Sequence, residues 1–185
     1  MNILRSIVLA LAVAAATAAC AHTAPGGVTD PTAPRMLETG DPVAVEWTDP
    51  AGFSEIRTSF NRLEASRGNW VHDLAEHLRD GIQARIGEDE HVQVLITDID
   101  RAGDFEPQRG PQMDHVRIMR DIHWPRMSLE CEQRDASGTV VNGGARQLSD
   151  PSYLHATQGR AGHDPLRYEK TMIDRWLRQE FGPAR

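Results

Sequence analysis

The stretch HVQVLITDID, residues 91 to 100, decides the fold. Its apolar side chains alternate between two faces, with Val92, Val94 and Ile96 on one and Leu95 and Ile99 on the other. A segment this rich in Val and Ile predicts an interior strand that is covered on both faces. The other elements must therefore pack around it.

Two elements are predicted upstream of this strand. Val43 to Trp47 alternates apolar and polar residues as a half-buried strand does, and it stops at Pro50. After an ambiguous stretch, Asn69 is placed to cap a helix that ends near Gly87. One stripe of that helix is apolar: Trp70, Val71, Leu74, Leu78, Ile82 and Ile86.

Downstream, residues 101 to 114 are irregular, and extended character is predicted from Val116 through Trp124 to Gln133. Pro125 cannot donate to a sheet ladder, so we expect a bulge or an edge position there. A hairpin is predicted at residues 135 to 138, and its second strand runs from Thr139 to Leu148 with a bulge at Gly143-Gly144. A helix follows Asp164-Pro165 and ends before Gly182-Pro183.

This order, β-α-β-β-β-α, predicts a single α+β domain over residues 43–182. We expect a mostly antiparallel sheet of about four strands, with two helices covering one face.

The N-terminal segment is typical of an export signal. Arg5 precedes an apolar run that is too short to span a bilayer, and small residues lead to Cys20. This pattern predicts a signal peptide over residues 1–19 and lipidation of Cys20, as in bacterial lipoproteins. Cleavage after Ala21, which would leave a soluble periplasmic form and a signal of residues 1–21, is the alternative.

Residues 20–42 are rich in Pro, Gly, Thr and Ala, and this composition predicts a disordered tether. Ala21 is not the aspartate associated with retention in the inner membrane, so the periplasmic face of the outer membrane is the expected location. No transmembrane helix is predicted in the mature protein.

Charge restricts the partners of the chain. The formal net charge is −7, and its arginines are interleaved with carboxylates, so no basic face for nucleic acid is predicted. The same charge disfavours adsorption to anionic headgroups, which leaves the lipid on Cys20 as the membrane link. Cys131 then has no intramolecular partner for a disulfide, and its alternating surroundings predict a buried thiol.

No complete catalytic, cofactor or metal signature is present. Asp98 to Arg109 resembles a calcium loop at positions one, three and six, but Ala102 and Arg109 replace two required ligands. His72 and His77 are five residues apart and do not share a helix face, so a zinc site is not predicted. We predict no catalytic residue, no cofactor and no metal.

A series of short blocks is recognisable along the chain: TDID at 97–100, GDFEP at 103–107, RGP at 109–111, VRI at 116–118, RDIHWPR at 120–126, LSD at 148–150 with Tyr153, and DPLRYEK at 164–170. In these blocks the chain resembles the bacterial family called domain of unknown function 3016, over roughly residues 43 to 181. The resemblance implies a small exported or envelope-attached domain and assigns it no activity. The recurring polar positions fall here on Asp98, Asp100, Arg109, Arg117, Asp121, Arg126, Asp150, Tyr153 and Arg167.

Two hypotheses of function follow. The first is a lipid-anchored, non-enzymatic envelope domain that binds an envelope protein or supports an assembly, in which the nine polar residues form a structural Arg-carboxylate network. The second is a small periplasmic hydrolase or ligand-binding protein that uses the polar blocks around residues 98–126. A cleft that gathers Asp98, Asp100, Arg117 and Asp121 would favour the second, and mutual pairing of these groups would favour the first.

Overall fold

The computed structural model describes residues 27–38, 42–156 and 164–185. Its strands are β1 (Val43–Trp47), β2 (His91–Asp100), β3 (Asp104–Phe105), β4 (Arg117–Ile118), β5 (Arg126–Arg134) and β6 (Val140–Ser149). Its α-helices are α1 (Ser54–Thr58), α2 (Arg62–Ala65), α3 (Trp70–Gln83), α4 (Tyr153–Ala156) and α5 (Arg167–Glu180). The predicted α+β class is confirmed, and the long elements follow the predicted order.

The main sheet has four strands in the order β1-β2-β5-β6. The pairings of β2 with β5 and of β5 with β6 are antiparallel, whereas β1 is parallel to β2. The parallel pair arises because the chain leaves β1, runs back through α3 and enters the sheet again from the same end. The sheet is therefore mixed.

Two long helices cover one face of this sheet. The α3 helix packs on β1 and on α5, and α5 packs on β6. Gly81 allows the two helices to approach closely, because a Cβ atom at this position would lie 2.3 Å from Cδ1 of Leu177. The core between the helices and the sheet includes Leu78 and Ile173, both fully buried.

The prediction that β2 is covered on both faces is wrong. Val92, Val94 and Ile96 are buried, while Gln93 is exposed and Leu95 is only half-buried. The register with β5 shifts between Ile96 and Asp98, which leaves Thr97 as an extra residue. This bulge returns Ile99 to the same core as Ile96, so one face of the sheet stays open.

The segment predicted as extended from Val116 to Gln133 is divided in two. The β4 strand pairs with β3 in a separate small sheet, and a turn at 121–123 precedes β5. Pro125 lies just before β5 and forms neither a bulge nor an edge; its carbonyl accepts from the Asp150 amide at 3.2 Å. Gly143 and Gly144 pair regularly with β5, and the register shift lies instead between Gln133 and Arg134.

The hairpin agrees with the sequence, and both long helices begin close to the predicted residues, whereas α3 ends at Gln83 and not near Gly87. The amide of Asp135 donates to the carbonyl of Thr139 at 3.0 Å, which closes the predicted turn. Asn69 precedes α3, although its side chain makes no capping hydrogen bond. Asp164 accepts from the Leu166 amide at 2.8 Å, one turn before α5 begins.

The N-terminal segment differs from the predicted tether in its described part. Residues 35–37 run along the outer edge of β1, where the Leu37 amide donates to the Val45 carbonyl at 3.0 Å. Leu37 is 3% exposed, so this segment belongs to the core. Cys20 and residues 1–26 lie outside the described residues. Within the described part, no helix is both long and apolar enough to cross a membrane.

Candidate functional site

Four charged side chains meet where β2 ends. Glu55 comes from α1, Arg101 follows β2, Arg117 lies on β4 and Glu169 lies on α5. Glu55 is 3% exposed and Glu169 is 1% exposed. Two carboxylates and two guanidinium groups give this cluster a formal charge of zero, which is the condition for burying charges together. We call these four residues the charged cluster.

Hydrogen bonds hold the charged cluster to the backbone around residue 102. Glu55 forms an ion pair with Arg117 and also accepts from the amide of Arg101 at 3.0 Å. Glu169 accepts from the amide of Ala102 at 2.8 Å. The cluster therefore fixes the chain as it leaves β2.

Aromatic rings complete the surroundings of the two cations. The Arg117 guanidinium lies 4.7 Å from the centre of the Phe105 ring, and that of Arg101 lies 5.4 Å from the centre of the Trp70 ring. These are distances at which a cation is attracted by a ring face. The Arg117 guanidinium is therefore enclosed by the Glu55 carboxylate, the carbonyl groups of Ala102 and Gly103 and a ring.

Burial sets the electrostatics of Glu169 and Arg101. Burial raises the pKa of Glu169, although Arg101 and the Ala102 amide act in the opposite direction. Burial also lowers the pKa of Arg101, and the nearby Arg117 adds to this effect. Oε2 of Glu169 and Nε of Arg101 are buried without a hydrogen-bond partner among the described residues.

The structure distributes the nine predicted polar residues over several local groups. Asp98 accepts from the amide of Ser54 at 2.6 Å and from its hydroxyl at 2.7 Å, so it caps α1. Arg126 donates through Nε to Asp100 at 3.1 Å. Among the nine residues, Arg117 alone belongs to the charged cluster.

A second group forms around Glu106, which pairs with both Arg109 and Arg120. The hydrogen bond from Arg109, followed by that from Arg120, lowers the pKa of the Glu106 carboxyl. Tyr153 joins this group because its hydroxyl donates to the Arg120 carbonyl at 2.7 Å. Asp121 is exposed in the turn after β4 and lies apart from the buried pair of Arg117 and Glu55.

The last two of the nine predicted residues, Asp150 and Arg167, contact side chains of α5. Asp150 is buried and pairs with Arg175 at 3.0 Å. Arg167 donates to the Tyr168 hydroxyl at 3.0 Å and lies over the ring of that residue. The groups that would have to converge in a cleft, Asp98, Asp100, Arg117 and Asp121, thus have different surroundings.

The histidines also occupy separate positions. His77 bonds through Nε2 to Asp174 at 2.7 Å, which joins α3 to α5. On the exposed side of α3, ligand atoms of His72, Asp73 and Glu76 lie within 4.8 Å of one another. His72 and Glu76 form an ion pair at 3.6 Å when the histidine is protonated. An exposed group of this kind is common on helices that hold no metal.

The open face of the sheet, opposite the two long helices, is concave. A groove of about 540 Å³ runs across it, lined by Ala44, Glu46, Gln93, Leu95, Glu130, Glu132, Gly144 and Ala145. Glu46, Leu95 and Glu130 occupy one row across three neighbouring strands. Because adjacent strands are about 4.8 Å apart, the carboxylates of Glu46 and Glu130 flank the side chain of Leu95.

The family model for a protein of unknown function, DUF3016, matches residues 41–179. The chain belongs to this family. No curated protein and no solved structure matches it significantly.

Sequence reasoning on this DUF3016 domain missed most of the charged cluster. Glu55 lies in the stretch that was ambiguous in sequence, and nothing there marks it as buried. Glu169 did leave a signal, because it occupies the stripe that Met172, Ile173 and Trp176 continue at helical spacing. A charged residue on an apolar stripe indicates a buried partner.

Proposed function

We propose that this chain is an exported envelope protein, anchored through a lipid on Cys20, whose domain binds another envelope component without catalysing a reaction. The observation that supports a binding role best is the pairing of the recurring polar residues with protein groups. Asp98, Asp100 and Arg117 each satisfy a structural partner, so they do not assemble a reactive cleft.

The open face of the sheet is the proposed binding surface. Glu46 and Glu130 are exposed there and have no ion-pair partner in the part of the chain that the structure describes, whereas Glu132 pairs with Arg134. Two unpaired carboxylates that flank a half-buried leucine suit a partner that presents a basic side chain with an apolar stem.

Co-purification from detergent-solubilised envelopes tests this proposal. The intact chain should recover a specific partner, and Cys20→Ala should lose it if anchoring brings the two together. Glu46→Gln combined with Glu130→Gln should weaken recovery, whereas Glu88→Gln combined with Asp89→Asn, which removes equal charge from an exposed turn, should not. Equal recovery by both double variants would place the binding surface elsewhere.

The mass of the mature N-terminal segment tests whether Cys20 carries the lipid anchor. A lipidated Cys20 gives a mass that carries acyl chains, and we expect this form at the periplasmic face of the outer membrane. Cleavage after Ala21 gives an unmodified chain that begins at His22, and the domain would then be soluble in the periplasm.

A small hydrolase or ligand-binding protein is the second candidate, and Glu169 favours it. A buried carboxyl with a raised pKa and an oxygen without a partner is typical of functional sites. Turnover of a substrate by the purified domain that is lost in Glu169→Gln, with the fold retained, would support this candidate over the first.

A further inference from the structure

Among the residues that the structure describes, the two most exposed large apolar side chains lie three positions apart. Phe60 is 69% exposed and Leu63 is 67% exposed. In contrast, Phe53 and Ile56 of the same stretch are buried in the core. The stretch is thus ordered by its buried residues, and it holds Phe60 and Leu63 out into solvent.

Three arginines lie within four positions of this apolar pair along the chain. Arg57, Arg62 and Arg67 are exposed, and Nη2 of Arg62 donates to the Arg57 carbonyl at 3.1 Å. Arg67 pairs with Glu64, but neither Arg57 nor Arg62 pairs with a carboxylate in the described ranges. We call Phe60, Leu63 and the three arginines the basic apolar patch.

The acidic groups beside the patch are already engaged or turned away from its exposed side. Glu55 is buried against Arg117, and Asp104 accepts from the Ser59 hydroxyl at 3.2 Å. Asp114 is half-buried, and its carbonyl accepts from the Asn61 side chain at 2.9 Å. The exposed side of this stretch therefore carries a local excess of positive charge on an acidic chain.

The N-terminal segment enters the fold beside the same patch. The Val28 amide donates to the Ser66 carbonyl at 2.8 Å, directly after α2. Gly27 contacts the backbone of Ser66 so closely that a Cβ atom would lie 2.6 Å from its carbonyl oxygen. Seven peptide units separate Cys20 from Gly27, and these span at most about 25 Å when fully extended.

We infer that the basic apolar patch is a second membrane contact, which lies in the headgroup region of an anionic phospholipid surface beside the anchor at Cys20. Phe60 and Leu63 insert at the boundary of the acyl chains, and the arginines meet lipid phosphates. The net negative charge of the chain opposes this contact only weakly, because charges beyond about 10 Å are largely screened at physiological salt. The inference uses the anchor of the proposed function only to orient the domain.

The test places a fluorophore on the patch. In the full chain carrying Cys20→Ala, the change Phe60→Cys provides one exposed thiol, and Val141→Cys on the far edge strand provides the matched control. Vesicles of phosphatidylethanolamine and phosphatidylglycerol with brominated acyl chains serve as the probe. We expect the fluorophore at 60 to be quenched and the one at 141 to remain unquenched.

Binding to the same vesicles supplies the second measurement. Arg57→Gln combined with Arg62→Gln should weaken binding about tenfold or more in low salt, because each basic residue near an anionic surface contributes about a factor of five. Phe60→Ser with Leu63→Ser should weaken it in both low and high salt. Val140→Ser with Val141→Ser, a second exposed apolar pair at 44% and 54% exposure, should leave it unchanged.

Three outcomes would overturn the inference: no quenching at 60 with saturating lipid, equal quenching at 60 and 141, or self-association that Phe60→Ser with Leu63→Ser abolishes without any quenching. Flotation tests the lipid anchor separately when both chains carry Phe60→Ser with Leu63→Ser, so that the patch does not bind. Equal flotation of such chains with Cys20 and with Cys20→Ala would remove the anchor from the proposed function, while the patch is still judged by quenching at 60.

Discussion

Glu55 and Arg117 form the ion pair on which the end of β2 depends. Glu55→Gln should lower the free energy of unfolding by about 3 to 5 kcal/mol, because Arg117 would keep its charge in a site where its side chain is 12% exposed. Urea unfolding measures this loss. The matched change Glu132→Gln breaks the exposed pair with Arg134 and should cost about 1 kcal/mol or less. Equal costs would mean that Arg117 is well solvated.

Glu169 should make stability depend on pH in the direction opposite to most carboxylates. Burial raises its pKa in the folded protein, so the folded state keeps this proton at pH values where the unfolded chain has lost it. Its contribution is complete below the ordinary carboxyl pKa and is lost as pH rises through the folded value. The stability of Glu169→Gln relative to the unaltered chain should therefore improve as pH rises.

Glu106→Gln provides the control of opposite sign. Hydrogen bonds from Arg109 and Arg120 lower the pKa of Glu106, so its contribution is present above the ordinary carboxyl pKa and is lost as pH falls. The free energy of unfolding of this variant should therefore fall relative to that of the unaltered chain as pH rises. Urea unfolding at a series of pH values checks both variants, and a stability difference for Glu169→Gln that does not change with pH would contradict the assignment.

At the scale of elements, the packing of residues 35–37 along β1 is open to a direct test. Leu37→Ala should cost about 2 to 5 kcal/mol, because it removes a buried side chain between this segment and the core. Met36→Ala, one residue away and 52% exposed, should change stability by about 0.5 kcal/mol or less. Thermal or urea unfolding separates the two. Similarly small losses of stability for both variants would indicate that the tether is free up to the start of β1.

The bounds of several elements could be predicted from the sequence because local pattern determines them. Val43–Trp47 and His91–Asp100 were predicted with the observed ends, and α3 begins at Trp70 as expected. In each of these elements, the repeating pattern of apolar residues begins or ends at a residue that interrupts the pattern. The buried face of β2 was harder, because the bulge at Thr97 changes the phase of the alternation and leaves no mark in composition.

The charged cluster shows why the candidate site could be predicted only in part. Arg117 was predicted as a member of a structural Arg-carboxylate network, but its partner Glu55 lies 62 positions away on α1. Pairing at such separation depends on how the elements pack, and sequence spacing does not record it. The parallel pairing of β1 with β2 was missed for the same reason.

For the whole molecule, Cys131 reports on the integrity of the core. Burial raises the pKa of its thiol to about 11, and the side chain is 4% exposed between the sheet and the helices. In the Cys20→Ala chain at neutral pH, Cys131 should react with a thiol reagent only through opening of the fold. Val141→Cys, on the exposed part of β6, should react much faster in the same chain. Comparable rates would indicate that the sheet opens readily.

The mixed sheet also has a consequence for the order in which the molecule folds. The β5 and β6 strands are joined by the five residues 135–139, whereas Val43 of β1 must find Val92 of β2 across α1, α2 and α3. Local pairs close faster than distant ones, so we expect the hairpin to form early and the β1 edge to close late. In a chain that crosses a membrane with its N-terminus first, β1 would therefore be the first strand to arrive and among the last to pair.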